Sequence, residues 1–147
     1  MNVSNIYYTA LLKYGKLSNE EIDYCIMNCD HNELVKILKL YNLFINVKLK
    51  KETLNTLASV FSKKSMKKLI NSPNFFNIIK HNKELFECIL VSSNMNNFEL
   101  LIEAILYTDK TAYSMYFKIV NFESILDKEK YDYFIARRTL MALEYGR

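Results

Sequence analysis

Two glycines and one proline in 147 residues leave this chain almost no places for left-handed backbone or tight turns. Folds built on many reversals use both residue types, because glycine enters positive φ without steric cost and proline presets the first turn position. A chain so poor in them is expected to be helices joined by short polar links. Half of its residues are hydrophobic, enough for an ordinary core in one domain. The fold class that follows is all-α.

The apolar spacing supports this reading. Ser18-Asn19-Glu20-Glu21 sets a hydroxyl three residues before a carboxylate, so that each can satisfy a free N–H of a first helical turn. Ile22, Cys25, Ile26 and Cys29 then recur at helical spacing, Asp30-His31-Asn32 breaks the pattern, and Leu34, Ile37, Leu38 and Tyr41 form a second stripe. The rhythm returns with Leu54, Leu57, Ala58 and Phe61, a break at 62–64, and Met66, Leu69 and Ile70. Ser72-Pro73 reads as an N-cap and a first helical position. From Asn82 a third unit carries Leu85, Phe86, Ile89 and Leu90, a break at 92–97, and Leu100, Leu101, Ala104 and Ile105. A last pair of helices is expected over 108–120 and 127–145, with Asp127 capping the second. Residues 43–50 alternate apolar and polar side chains, which predicts a short strand or an extended finger.

Glu33-Leu34-Val35 and Glu99-Leu100-Leu101 lie 66 residues apart, with the stripe at 66–70 halfway between. The implied period of 33 is that of ankyrin repeats. Residues 21–47, EIDYCIMNCDHNELVKILKLYNLFINV, resemble one such repeat, with Asp30-His31 standing where the family prefers Gly-His and residues 42–46 in place of its closing Gly-Ala-Asp-Val-Asn turn. Residues 53–71 and 85–106 are similar more weakly, and the opening Thr-Pro-Leu-His is absent throughout. Gly-poor, Asn/Lys/Ile-rich repeats of this kind look like those of ankyrin-like proteins from large DNA viruses, poxviruses included. The F-box-like tail common in poxviral members is not recognisable in 127–147.

The resemblance implies tandem helix-turn-helix pairs stacked as a short ankyrin-like solenoid. The single domain, 1–147, would comprise repeat-like units over 18–50, 51–81 and 82–108 and a C-terminal helical pair over 109–147. It further implies a non-enzymatic module that binds and occludes a host regulatory protein in the host cytoplasm. Partner contacts would fall on the turn side, at Tyr41, Asn42 and Phe44, at Asn74, Phe75 and Phe76, and at Tyr107 and Asp109. A rival resemblance runs through residues 131–138, YDYFIARR, which are loosely similar to the C-terminal helix of poxviral Bcl-2-like proteins. That reading implies a bundle that holds a partner helix in a groove and inhibits apoptosis or innate immune signalling.

The residues that could carry chemistry have simpler readings. Cys25 and Cys29 share a helix face near His31, but zinc sites usually offer a second tight ligand pair, and small buried apolar side chains account for them and for Cys88. No Gly-rich phosphate loop, Ser/His/Asp arrangement or His-x-x-x-His pair occurs, so no catalytic, cofactor or metal site is expected. The net charge of +4 derives from 17 Lys against three Arg, a bias that AT-rich coding also produces. Lys48, Lys50 and Lys51 with Lys63, Lys64, Lys67 and Lys68 lack interleaved aromatics, which favours a solvated face over nucleic acid. Tyrosines concentrate near both ends, and Tyr113, Tyr116 and Phe117 are the expected contacts should the chain form a homodimer. No cationic start followed by an apolar run and no span-length apolar segment is seen, so no membrane partner and an intracellular, reducing compartment are expected.

Overall fold

The computed structural model describes residues 18–39, 48–108 and 122–144, and among these the chain is mostly helical with no strand. Helix α1, Asn19–Asn28, opens with the expected capping box: Ser18 Oγ accepts from the Glu21 N–H at 3.2 Å, and Glu21 Oε1 accepts from the Ser18 N–H at 3.1 Å. The polar break after it holds a second box. Asp30 Oδ1 accepts from the Glu33 N–H at 2.9 Å and Glu33 Oε1 from the Asp30 N–H at 3.0 Å, which starts α2, His31–Ile37, after only Cys29 and Asp30.

Helix α3, Lys51–Ala58, runs into a 3-10 turn at Ser59–Phe61, and α4, Lys67–Ile70, follows the expected Lys-rich break. Pro73 stands at the first position of α5, Pro73–His81, although the Ser72 side chain makes no capping bond. Asn82 Oδ1 accepts from the Leu85 N–H at 3.0 Å to start α6, Lys83–Ser92. Helix α7, Met95–Thr108, resumes sooner than the apolar spacing predicts, because Asn94 Oδ1 accepts from the Asn97 N–H at 2.8 Å and restarts the helix there. Helix α8 covers Phe122–Ile125, and α9, Lys128–Glu144, is capped as expected by Asp127, whose Oδ1 accepts from the Lys130 N–H at 2.9 Å.

Helix α1 rests on α3 and α3 on α6, while α2 meets the 3-10 turn, α4 meets α7, and α7 meets α9. Helix α5 packs on both α4 and α6. The apolar stripes face inward and merge into one core running from Ile22 to Met141, with Phe61, Phe75, Phe86 and Phe98 fully enclosed. Each fully buried Leu, Ile or Phe contributes roughly 1.5–3 kcal/mol relative to exposure.

Polar ties join the successive helical pairs. Lys50 N–H donates to Asp23 Oδ1 at 3.4 Å, a long contact between the first two. The next tie is denser: Asn97, 0% exposed, donates through Nδ2 to the Phe61 and Lys64 carbonyls at 2.8 and 2.6 Å and accepts from the Met66 N–H at 3.0 Å. The Asn94 N–H adds a bond to the Phe61 carbonyl at 3.0 Å. Finally Lys130 on α9, 5% exposed, donates through Nζ to the Leu90 and Val91 carbonyls at 2.8 and 2.9 Å and lies 5.5 Å from the Phe98 ring centre. It thereby satisfies carbonyls in the last turn of α6, where the helix dipole favours a cation. Burial pulls this ammonium below the usual lysine range, against the opposing pull of Asp127 and Glu129.

One expected contact residue is corrected by the packing. Residues 74–76 form the first turn of α5 instead of a projecting loop, and Phe75, 0% exposed, tilts against Phe61 with ring centres 5.6 Å apart. Phe75 therefore belongs to the core, because positions 75, 78 and 79 share the inward stripe of α5. Phe76 is half-buried, edge-on to Phe75 at 6.3 Å, while Asn74 is exposed. Tyr41, Asn42, Phe44, Asp109, Tyr113, Tyr116 and Phe117 lie outside the described residues, as do the expected helix over 109–120 and most of the alternating run at 43–50. Among the described residues no helix is long and apolar enough to cross a membrane.

Replacing Asn97 by Ala removes three side-chain bonds of about 1 kcal/mol each, so urea unfolding should show a loss of about 3 kcal/mol. Asn96→Ala, one residue away on the exposed side, should stay within about 0.5 kcal/mol of the parent. Equal effects at the two positions would remove the tie from the account.

Candidate partner-binding surface

The Asn97 tie does more than join two helical pairs, because the backbone it holds at residues 64–66 forms one wall of an open pocket. The opposite side comes from α2 and the turn that follows it. The pocket has a volume of about 450 Å³. Val35, Met66 and Leu69 give it an apolar lining, and Lys39, Lys67 and Lys68, all exposed, stand around it with Ser65. Among the described residues no acidic side chain lines it, and none of the three lysines forms an ion pair. The Lys67-Lys68 part of the basic run, read from sequence as a solvated face, is indeed exposed, but it borders an apolar hollow as well. Met66 and Leu69 inside that run are the signal for the hollow; its other side, on α2, is 30 residues away and only folding brings it near.

A second cluster joins α7 to α9. Glu103 accepts from the Tyr133 hydroxyl at 2.6 Å and from Arg137 Nη2 at 2.9 Å, with Arg137 Nε against the same carboxylate. Arg137 Nη2 also donates to the Tyr107 hydroxyl at 2.9 Å. Tyr107, an expected contact residue, is 55% exposed, so its hydroxyl is held by the fold while the rest of the ring stays open to solvent. Burial, reinforced by the bond to Glu103, pushes the Tyr133 hydroxyl well above the ordinary tyrosine range, and the same carboxylate raises Arg137 further. Neither residue was singled out from sequence for this role, since their partners lie 30 and 34 residues upstream.

Cys25 is buried and Cys29 half-buried, with sulfurs 3.8 Å apart. The hydrogen bond between them holds Cys25 below and Cys29 above the ordinary thiol range. Cys88 is buried on the matching stripe, and burial raises its thiol. Among the described residues no group of three or more His, Cys, Asp or Glu side chains is placed to hold a metal ion. The expected contacts Asn74 and Tyr107 are on the surface, and neither lines the lysine-rimmed pocket.

No protein-family model, curated protein or solved structure matches this chain.

The Tyr133 geometry makes a prediction with a definite sign. The folded chain holds this proton more tightly than the unfolded chain, whose tyrosines titrate near 10.0. The stability contributed is full below that pH and is lost as pH rises beyond it. Chemical denaturation at about pH 8 and about pH 11 should therefore show wild type losing more stability than Tyr133→Phe over that interval. Parallel losses in the two proteins would mean that Tyr133 titrates normally in the fold.

Proposed function

We propose that this protein is a non-enzymatic binding module, an ankyrin-like stack of helical pairs that holds and occludes a partner protein. The observation that carries this reading is the lysine-rimmed apolar pocket: a hollow formed between helices, ringed by lysines without an acidic partner among the described residues, suits capture of another chain. The succession of contacts from α1 to α3 to α6, and from α4 to α7 to α9, supports the stacked reading, as does the regular start of α1, α3 and α6 at Asn19, Lys51 and Lys83. The rival Bcl-2-like reading calls for a central helix enclosed by the others. Helix α6, which packs on both α3 and α5, is one candidate for that role, yet it keeps Lys83, Glu84 and Val91 in solvent, and α7 keeps Asn96 and Tyr107 there. The resemblance to ankyrin-like proteins of large DNA viruses names the partner class, a host regulatory protein, and binding would act by covering that protein's own contact surface.

The test is affinity capture from extracts of cultured animal cells, comparing wild type with a Val35→Glu/Met66→Glu variant whose fold is checked by circular dichroism and urea unfolding. Both side chains are only half-buried, so the variant should remain folded while the apolar lining is spoiled. The proteins retained by wild type should be depleted about tenfold or more, the effect of about 1.4 kcal/mol in binding. The same proteins held equally by the variant would place the contact surface elsewhere.

A further inference from the structure

We propose that the pocket between α2 and α4 takes an acidic segment of its partner protein, with one aliphatic or aromatic side chain against the apolar lining and neighbouring Asp or Glu side chains meeting the lysines. The inference rests on the module reading above and names the chemistry that the partner must present.

Two kinds of recognition meet at this place. Val35, Met66 and Leu69 reward an apolar side chain, whose burial yields roughly 1.5–3 kcal/mol in general. Lys39, Lys67 and Lys68 come from two separate stretches of chain and line the same opening, with no acid among the described lining residues. Lys36, Lys63 and Lys64 are exposed on those same stretches and extend the positive field. A small inorganic anion would meet the charge and leave the apolar lining wet. A single-stranded nucleic acid would need rings to stack on or guanidinium forks, and among the described residues the lining offers neither an aromatic residue nor an arginine. An acidic peptide with an apolar anchor answers both demands. The wall is also held in advance, since Asn97 bonds the Lys64 carbonyl and the Met66 N–H, which lowers the ordering cost of binding.

The experiment uses the full chain as bait for phage-displayed random peptides of about twelve residues in about 0.15 M salt. Enriched peptides are then measured by fluorescence polarisation against wild type and against Lys39→Glu/Lys67→Glu/Lys68→Glu. All three lysines are exposed, so the triple variant keeps the core intact. Enriched peptides should share a Leu, Ile, Met or Phe with Asp or Glu close on either side, and the triple variant should bind them about tenfold or more weakly. Acidic peptides that bind the triple variant as tightly as wild type would overturn the inference. So would enriched peptides without acidic bias; if these still lost affinity for Val35→Glu/Met66→Glu, the acidic partner would fall while the module reading stood. Failure to enrich any peptide, together with unchanged capture by the Val35/Met66 variant, would remove both. A labelled single-stranded oligonucleotide bound by wild type and released by the triple variant would overturn the inference in favour of nucleic acid.

Discussion

The middle of this fold depends on one side chain. Asn97 is fully enclosed and spends its amide on three backbone groups in residues 61–66, a stretch that the surrounding helices leave without regular hydrogen bonding. Residues 62–65 of this break are exposed, yet the Phe61 carbonyl at its start is buried, and an unpaired buried polar group costs about 1–3 kcal/mol. One buried amide answers that requirement and fixes how α4 meets α7. The pocket wall belongs to the same segment, so the packing of α4 on α7 and the shape of the pocket rest on the same bonds.

The other ties differ in kind: Asp23 on α1 accepts from the later Lys50 N–H, whereas Lys130, like Asn97, is a polar side chain from a later helix that satisfies the backbone of an earlier pair. Lys130 does so for the last turn of α6, and the proximity of Phe98 adds a cation–π contact to its two hydrogen bonds. Farther along the same two helices the Glu103–Tyr133–Arg137 cluster joins α7 to α9. These contacts reach across about 30 to 40 residues, so they form only once distant helices have packed together.

Most of the helices were legible in the sequence because their signals are local. Ser18 with Glu21 and Asp127 before α9 act at the positions that their side-chain chemistry predicts, and the stripes at 22–29, 54–61 and 85–90 are buried almost as read. Asp30 with Glu33 was equally local, but its box was hidden by reading the segment as a family turn. The misplacement of Phe75 has a different cause. Ser72-Pro73 marks a helix start correctly without saying which of the next residues faces inward, and that is decided by Phe61. Asn97 and Lys130 were not legible at all, since a polar residue in a stripe gap looks exposed until the carbonyls it serves are brought to it by tertiary packing. The pocket suffers the same limit: its lysines and apolar residues were visible, their convergence was not.

The central claim is that the pocket wall is a fixed part of the core, held by Asn97. Native-state hydrogen exchange at the Met66 amide tests it most directly, because this N–H lies outside every helical ladder and is bonded to Asn97 Oδ1. The account predicts exchange slowed to the level of the core amides in α6 and α7, with protection lost in Asn97→Ala. Exchange of the Met66 amide at the rate of an unstructured peptide in the wild-type protein would contradict it.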